Sequence, residues 1–261
     1  MPFVSRLRAV RITGERIVTN QGGFNPTWQR HTVNYQFAAA FLPPGPAVDL
    51  GCGTGHAAQF LAGRWTVGVD IDHGALAGQR RPTVLADLRR TPFAGGSFDG
   101  AVCLHAVEHV PDPERVVAEC ARLVRPGGTA VLSTPNRLTF LRADEIIDPY
   151  HEIEFDPDQL RALCQPHFAA VEIHGLFGSA RYMEFFRRER AKLDARLRMD
   201  PLRLRRFVPR RLKRTLYDWS LTRERAGAAD PLAAGIGPED FSLRETDLDE
   251  ALDLFAVCRR A

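Results

Sequence analysis

Apolar residues along this chain recur at two different spacings, and the two alternate. Ala47–Leu50, Thr66–Asp70, Thr83–Ala86, Phe98–Leu104 and Thr129–Ser133 are short runs of strand type. Between them lie helical stretches: His56–Gly63, a short one near Gly74–Gln79, and Asp112–Leu123 with apolar spacing at Val116, Val117, Cys120 and Leu123. Arg125-Pro126-Gly127-Gly128 reads as a stop and turn before the fifth strand. Further on, Asp156–Leu163 predicts a helix, Ala169–His174 a sixth strand and Ala251–Val257 a seventh. Upstream, a polar lead runs into a helix around His31–Phe41, broken by Leu42-Pro43-Pro44-Gly45-Pro46. Repeated strand-then-helix units predict an α/β fold: a seven-stranded, mostly parallel sheet with helices on both faces and a helical insertion before the last strand.

Charge changes this picture in one place. The net charge of +3 over 261 residues hides an asymmetry. Residues 181–214 carry fourteen Lys/Arg against four Asp/Glu, whereas the rest of the chain carries 21 against 28. That shift marks an inserted unit. The expected organisation is an N-terminal lid and helix over 1–46, a core over 47–175, a basic helical insertion over 176–240 and the last strand of the core in 241–261. Five scattered cysteines without a CxxC pair argue against a disulfide framework and a zinc site, so no metal and a reducing cytoplasm are expected. Only Lys192 and Lys213 are lysines, which reads as the coding bias of a GC-rich bacterium.

The chemistry concentrates at the ends of the strands. Val48-Asp49-Leu50-Gly51-Cys52-Gly53-Thr54-Gly55 puts three glycines directly after the first strand, where open α/β sheets bind ligands. Glycine there permits positive φ and close approach of backbone to ligand. A dinucleotide loop wants GxGxxG, but the sixth position is His56, and the Gly-Lys-Ser/Thr ending of a phosphate loop is absent. Asp49 can face an ammonium group, Asp70 at the end of the second strand can accept two ribose hydroxyls, and Asp87, beside the backbone of Leu88, can read an adenine amino edge. One such acid alone reads equally as a helix cap. Acids for an amine, a ribose and an adenine at three successive strand ends describe S-adenosylmethionine (SAM).

The quoted loop, with VGVDID (67–72), ADLRRTPFAGGSFDGAVCLHAVEHVPDP (86–113) and RLVRPGGTAVLSTPN (122–136), resembles the class I SAM-dependent methyltransferases in order and spacing over residues 30–175. TPN followed by DPYHEIEFDPDQL (148–160) is similar to the branch holding ubiquinone-pathway O-methyltransferases and tailoring enzymes. The resemblance implies a Rossmann-like fold and SAM as cofactor, with S-adenosylhomocysteine as product. It implies that Gly51, Gly53 and Gly55 line the methionine part, that Asp49 reaches the amino group, and that Asp70 and Ile71 take the ribose side. Asp87 and Leu88 would take the adenine, and His105 would lie close to the sulfonium. Arg30, His31 and Tyr35 are candidates for the cofactor's carboxylate.

Methyl transfer to a hydroxyl needs alignment and a destination for the proton. Histidine suits the second need. His109, after the fourth strand, and His151, after the fifth, are the catalytic candidates; the bland alternatives are a cap for the helix near Asp112 and a loop partner for Glu152 or Glu154. Gln21-Gly22-Gly23-Phe24-Asn25-Pro26-Thr27-Trp28 reads as a lid or as a surface coil. The basic insertion spaces Phe185, Phe186, Leu193, Leu197, Leu202, Leu204, Phe207, Leu212, Leu216, Tyr217 and Trp219 as helices with an apolar stripe and an arginine-rich face. It is expected to cap the substrate or pair subunits, as monomer or homodimer. Peripheral membrane contact is the next reading. No nucleic-acid motif accompanies the arginines, so no nucleic-acid partner is expected. The expected activity is O-methylation of a small-molecule or glycan acceptor. The alternatives are C- or N-methylation of a quinone- or lipid-like acceptor and a SAM-binding module without turnover.

Overall fold

The computed structural model describes residues 24–140, 146–200, 203–225 and 230–261. The polar lead with Gln21–Gly23, part of the loop after the fifth strand, and Leu202 lie outside the described residues. A helix α1 (Asn25–Phe41) precedes strand β1 (Ala47–Leu50). There follow β2 (Thr66–Asp70), α2 (His73–Leu76), β3 (Thr83–Leu85), β4 (Phe98–Leu104), α3 (Pro113–Leu123), β5 (Val124–Pro135), α4 (Arg137–Phe140), α5 (Pro157–Cys164) and β6 (Ala170–Gly178). Two long helices, α6 (Ala180–Arg198) and α7 (Arg210–Arg225), then lead through α8 (Pro231–Ala234) to β7 (Phe241–Arg244) and β8 (Asp253–Arg259).

The sheet has eight strands in the order β3-β2-β1-β4-β5-β8-β6-β7, one more than the sequence pattern predicts. The added strand is β7, a four-residue edge paired antiparallel to β6; Phe-Ser-Leu-Arg has too short an alternation to stand out from its flanks. The first five strands are mutually parallel, and β8 pairs antiparallel with both β5 and β6. The stretch expected as a helix over His56–Gly63 forms only a 3₁₀ turn over Ala58–Leu61. Gly55 and Gly63 flank it, both at positive φ, and a helix bounded so closely has no room to propagate.

Period-two alternation splits the core into two layers. Val48, Leu50, Ala101, Cys103, Ala130, Leu132, Leu254 and Ala256 face α3 and α5. Ala47, Val102, Leu104, Val131, Phe255 and Val257 face α1, α6 and the Ile236 segment. The strand order turns back at β1, between β2 and β4, so a crevice opens at the carboxyl ends of these strands. Residues 25–28 of the segment read as a lid are the first turn of α1, with Pro26 pre-set for a helix start. Asn25 anchors that turn by donating to the carbonyls of Ala233 and Ile236 at 2.8 and 2.9 Å.

Candidate active site

The glycine loop bends sharply out of β1. Gly51, Gly53 and Gly55 take φ of +74°, +52° and +66°. At Gly51 space matters as much as conformation: a Cβ would meet the Ala106 methyl at 2.5 Å. The loop is held from below by Asp70, which accepts from Gly53 N at 2.9 Å and from Asp72 N at 2.8 Å. From the side, Gln79 donates to the Gly53 carbonyl at 2.8 Å.

Asp49 is fully buried, accepts from the Tyr35 hydroxyl at 3.1 Å and pairs with Arg81 at 2.6 Å. Burial pushes its pKa up, against the opposing pull of Arg81. Asp87, at the tip of β3, accepts three bonds from Nε and Nη2 of the Arg89 guanidinium and one from its backbone, and these lower its pKa. The tips of β1, β2 and β3 are adjacent and point one way, so Asp49, Asp70 and Asp87 stand on one rim of the sheet. Ile71 is 69% exposed beside Asp70, while Leu88 packs towards Gly51.

His105 follows β4 at φ +50°. Its ring stacks on His31, centroids 4.1 Å apart, and stands 3.4 Å from Asp253 and 3.6 Å from Glu108. Burial works against its charge, but the two carboxylates outweigh it and raise its pKa to about 9. His31 is driven down by burial and by the neighbouring His105. Arg30 pairs with Asp253 through two bonds of 2.9 and 2.5 Å, and Asn34 donates to the same carboxylate at 3.0 Å. Tyr35, further along α1, donates to Asp49 of β1, and Trp28, His31 and Tyr35 all pack against the His56 ring that follows Gly55.

His109 and His151 come together from different loops, ring centroids 5.1 Å apart. His109 Nδ1 lies 3.2 Å from the Tyr150 carbonyl, and His151 Nδ1 lies 2.9 Å from Glu154. Burial lowers the His151 pKa, but Glu154 and Glu108 override it and the net shift is upward. Both rings line a cavity of about 810 Å³ together with Arg30, His31, His105 and Glu108. Its far wall is the insertion: Phe185, Phe186, Leu193 and Leu197 of α6, and Tyr217 and Ser220 of α7.

The sequence reading missed Gln79, Arg81 and Asp253, whereas Glu154 is the loop partner of His151 that it allowed for. Gln79 and Arg81 are loop polars with no periodic signature. Asp253 does carry a signal, an acid inside the apolar run Ala251–Val257 that has to be neutralised once buried.

Residues 48–132 match the family described as a methyltransferase domain. A probable S-adenosylmethionine-dependent methyltransferase of Mycobacterium tuberculosis is 32% identical over 267 residues, covering 95% of this chain and 89% of that protein. The ubiquinone biosynthesis O-methyltransferase of Marinobacter nauticus is 34% identical over 119 residues, 40% of this chain and 50% of that protein. Among solved structures, a SAM-dependent methyltransferase from Thermotoga maritima superposes with a TM-score of 0.60 at 15% identity, covering 91% of this chain and 92% of that one.

Proposed function

Because this chain belongs to the S-adenosylmethionine-dependent methyltransferases, we propose that it methylates a hydroxyl group of a small molecule or glycan held between the strand tips and the insertion. SAM is its cofactor. In our reading the ammonium end of the cofactor lies against Asp49, the methionine part against Gly51, Gly53 and Gly55, the ribose against Asp70 and Ile71, and the adenine against Asp87 and Leu88. His105 flanks the sulfonium.

The observation that carries the choice of a hydroxyl acceptor is the histidine pair. Two imidazoles from separate loops line the acceptor cavity, each with Nδ1 engaged by a carbonyl or carboxylate. A proton held on Nδ1 leaves Nε2 with a free lone pair, the form that acts on an O–H group. In the transfer, the acceptor oxygen forms a bond to the methyl carbon and the C–S bond breaks with its electrons going to sulfur. The hydroxyl proton passes to solvent, its departure assisted by His109 and His151. Alignment within the cavity supplies part of the rate, and action on the proton is worth about 10²–10⁴-fold.

The test offers SAM with a panel of hydroxylated acceptors and measures S-adenosylhomocysteine. His109→Ala and His151→Ala should lower turnover about 10²–10⁴-fold while calorimetry shows unchanged SAM affinity. Full turnover in both variants overturns the role given to the pair. Methylated carbon or nitrogen in the product overturns the hydroxyl assignment.

A peripheral membrane contact is part of the same reading. Leu212, Leu216 and Trp219 recur at i, i+4 and i+7 along α7 and are 50%, 53% and 60% exposed, with Phe207 at 84% on the preceding turn. Arg210, Arg211 and Lys213 accompany them. Such a face suits an anionic lipid surface. Among the described residues no helix is long and apolar enough to cross a membrane. Five free, buried cysteines support the cytoplasmic placement.

A further inference from the structure

We propose that Glu108, His109 and His151 bind one divalent first-row transition cation at the wall of the acceptor cavity. This rests on the reading that the histidine pair acts on the acceptor hydroxyl, and it says how. One ligand atom from each residue lies within 4.8 Å of the others, so small side-chain rotations bring all three onto a common ion.

Four features separate this cluster from a chance meeting of polar side chains. The first is its assembly. Glu108 and His109 sit on the single 3₁₀ turn after β4, whereas His151 arrives from the loop after β5. The backbone N–H groups of Glu152 and Ile153 donate to the Glu108 carbonyl at 2.8 and 3.3 Å, and this stitches the two loops together. The second is Glu108 itself. Its side chain is 1% exposed, and neither carboxylate oxygen has a hydrogen-bond partner; His105 Nδ1, at 3.6 Å, is beyond hydrogen-bond length. The His105 ring supplies a nearby positive charge, yet both oxygens still lack a hydrogen bond, and a buried carboxylate left so is costly. The third is tautomer control. His109 donates Nδ1–H to the Tyr150 carbonyl and His151 donates Nδ1–H to Glu154, which leaves Nε2 of each ring as the ligand atom. A carboxylate or carbonyl behind each histidine is the usual outer shell of a metal site. The fourth is location: all three residues and Glu154 line the cavity, so coordination positions remain for a ligand from that side.

Two imidazoles and one carboxylate suit zinc, iron, manganese or cobalt better than magnesium or calcium, which favour all-oxygen shells. The lack of cysteine pairs, from which no metal is expected on sequence, has no bearing on a nitrogen–oxygen site. An acceptor hydroxyl bound at an open position would lose its proton more readily. The proton then passes to solvent, while the oxygen attacks the methyl carbon as before. The two Nε2 lone pairs are used in coordination, so the histidines act through the ion.

The test uses the full chain, without a histidine tag, dialysed against EDTA and titrated with CoCl₂. One Co²⁺ per chain should bind, with visible d–d absorption and a raised melting temperature. His151→Ala should weaken cobalt binding at least 100-fold, and Glu154→Gln about 10–100-fold through loss of the outer shell. SAM affinity should be unchanged in both. No cobalt binding by the unmodified chain, or binding that survives both substitutions, overturns the proposal. So does turnover by EDTA-treated protein at the rate of untreated protein, and in that case the methyl-transfer reading stands. Absence of SAM binding sinks the methyl-transfer reading whatever cobalt does.

Discussion

The two ends of the binding crevice are built in opposite ways. At the end where we propose the cofactor binds, Asp49, Asp70 and Asp87 each accept hydrogen bonds from within the chain, mostly from residues close in sequence or in the next loop. At the end where we propose the acceptor binds, Glu108 is buried with no hydrogen-bond partner, and the ion pair that stabilises the surroundings, Arg30 with Asp253, joins residues at opposite ends of the chain. The first end is pre-organised by its own backbone and awaits a ligand of constant shape. The second is assembled from far-apart segments and leaves Glu108 without a hydrogen bond, which fits a subsite whose occupant supplies that contact.

The strongest way to break this contrast is at Asp253. Asp253→Asn leaves the Arg30 guanidinium buried without its countercharge, and a loss of about 3–5 kcal/mol in chemical denaturation is expected. A midpoint equal to that of the unmodified chain would mean that the long-range pair does not hold the acceptor end together. Next comes the glycine loop. Gly51→Ala combines a φ of +74° with a Cβ 2.5 Å from the Ala106 methyl, so about 2–4 kcal/mol should be lost and SAM affinity should fall more than tenfold. At Gly53 the φ is +52° but nothing lies within 4 Å of the new Cβ, so alanine should cost only about 1 kcal/mol. Equal effects at the two glycines would remove close packing as the reason for the loop's shape.

Titration sharpens the contrast further. His105 is held above its unfolded value, at about 9, because Asp253 and Glu108 outweigh the cost of burial. Its contribution to stability is therefore complete below about pH 6.5 and is lost as pH rises through about 9. His56, at the cofactor end, is pushed down to about 4 by burial and by His105, so it binds fewer protons folded than unfolded, and stability is lost as pH falls from about 6.5 to 4. Denaturation midpoints across this range should decline on both sides, and His105→Asn should flatten the alkaline limb. The smallest effect on stability is expected on the outside of the insertion: Leu216→Gln with Trp219→Gln should change folding by about 0.5 kcal/mol or less, yet reduce co-sedimentation with phosphatidylglycerol vesicles. Unchanged vesicle binding would detach that face from any membrane role.

The insertion shows where pattern reading reaches its end. Helical spacing of its apolar residues is correct as spacing, but one stripe does not imply one destination. On α6, Phe185, Phe186 and Leu193 turn into the cavity. On α7, Leu212, Leu216 and Trp219 turn to solvent, and Tyr217 and the buried Asp218 turn inward, where Asp218 accepts from the Tyr150 hydroxyl at 2.8 Å. Which face of a helix is covered depends on what packs against it, and that information lies in other segments.

What the sequence by itself determined is local. Strand runs separated by helical spacings dictate a mostly parallel sheet. Three glycines after the first strand require a tight turn there, and acids at three successive strand tips follow from where each strand stops. These features depend on residues only a few positions apart, and backbone sterics read them directly. The tertiary structure alone decided that β8 lies between β5 and β6 and carries Asp253 beside Arg30 and His105, and that the loop after β5 lays His151 against Glu108 and His109. Such meetings join segments tens or hundreds of residues apart. They are set by which apolar faces bury each other, a property of the whole packed core that no short stretch of chain contains.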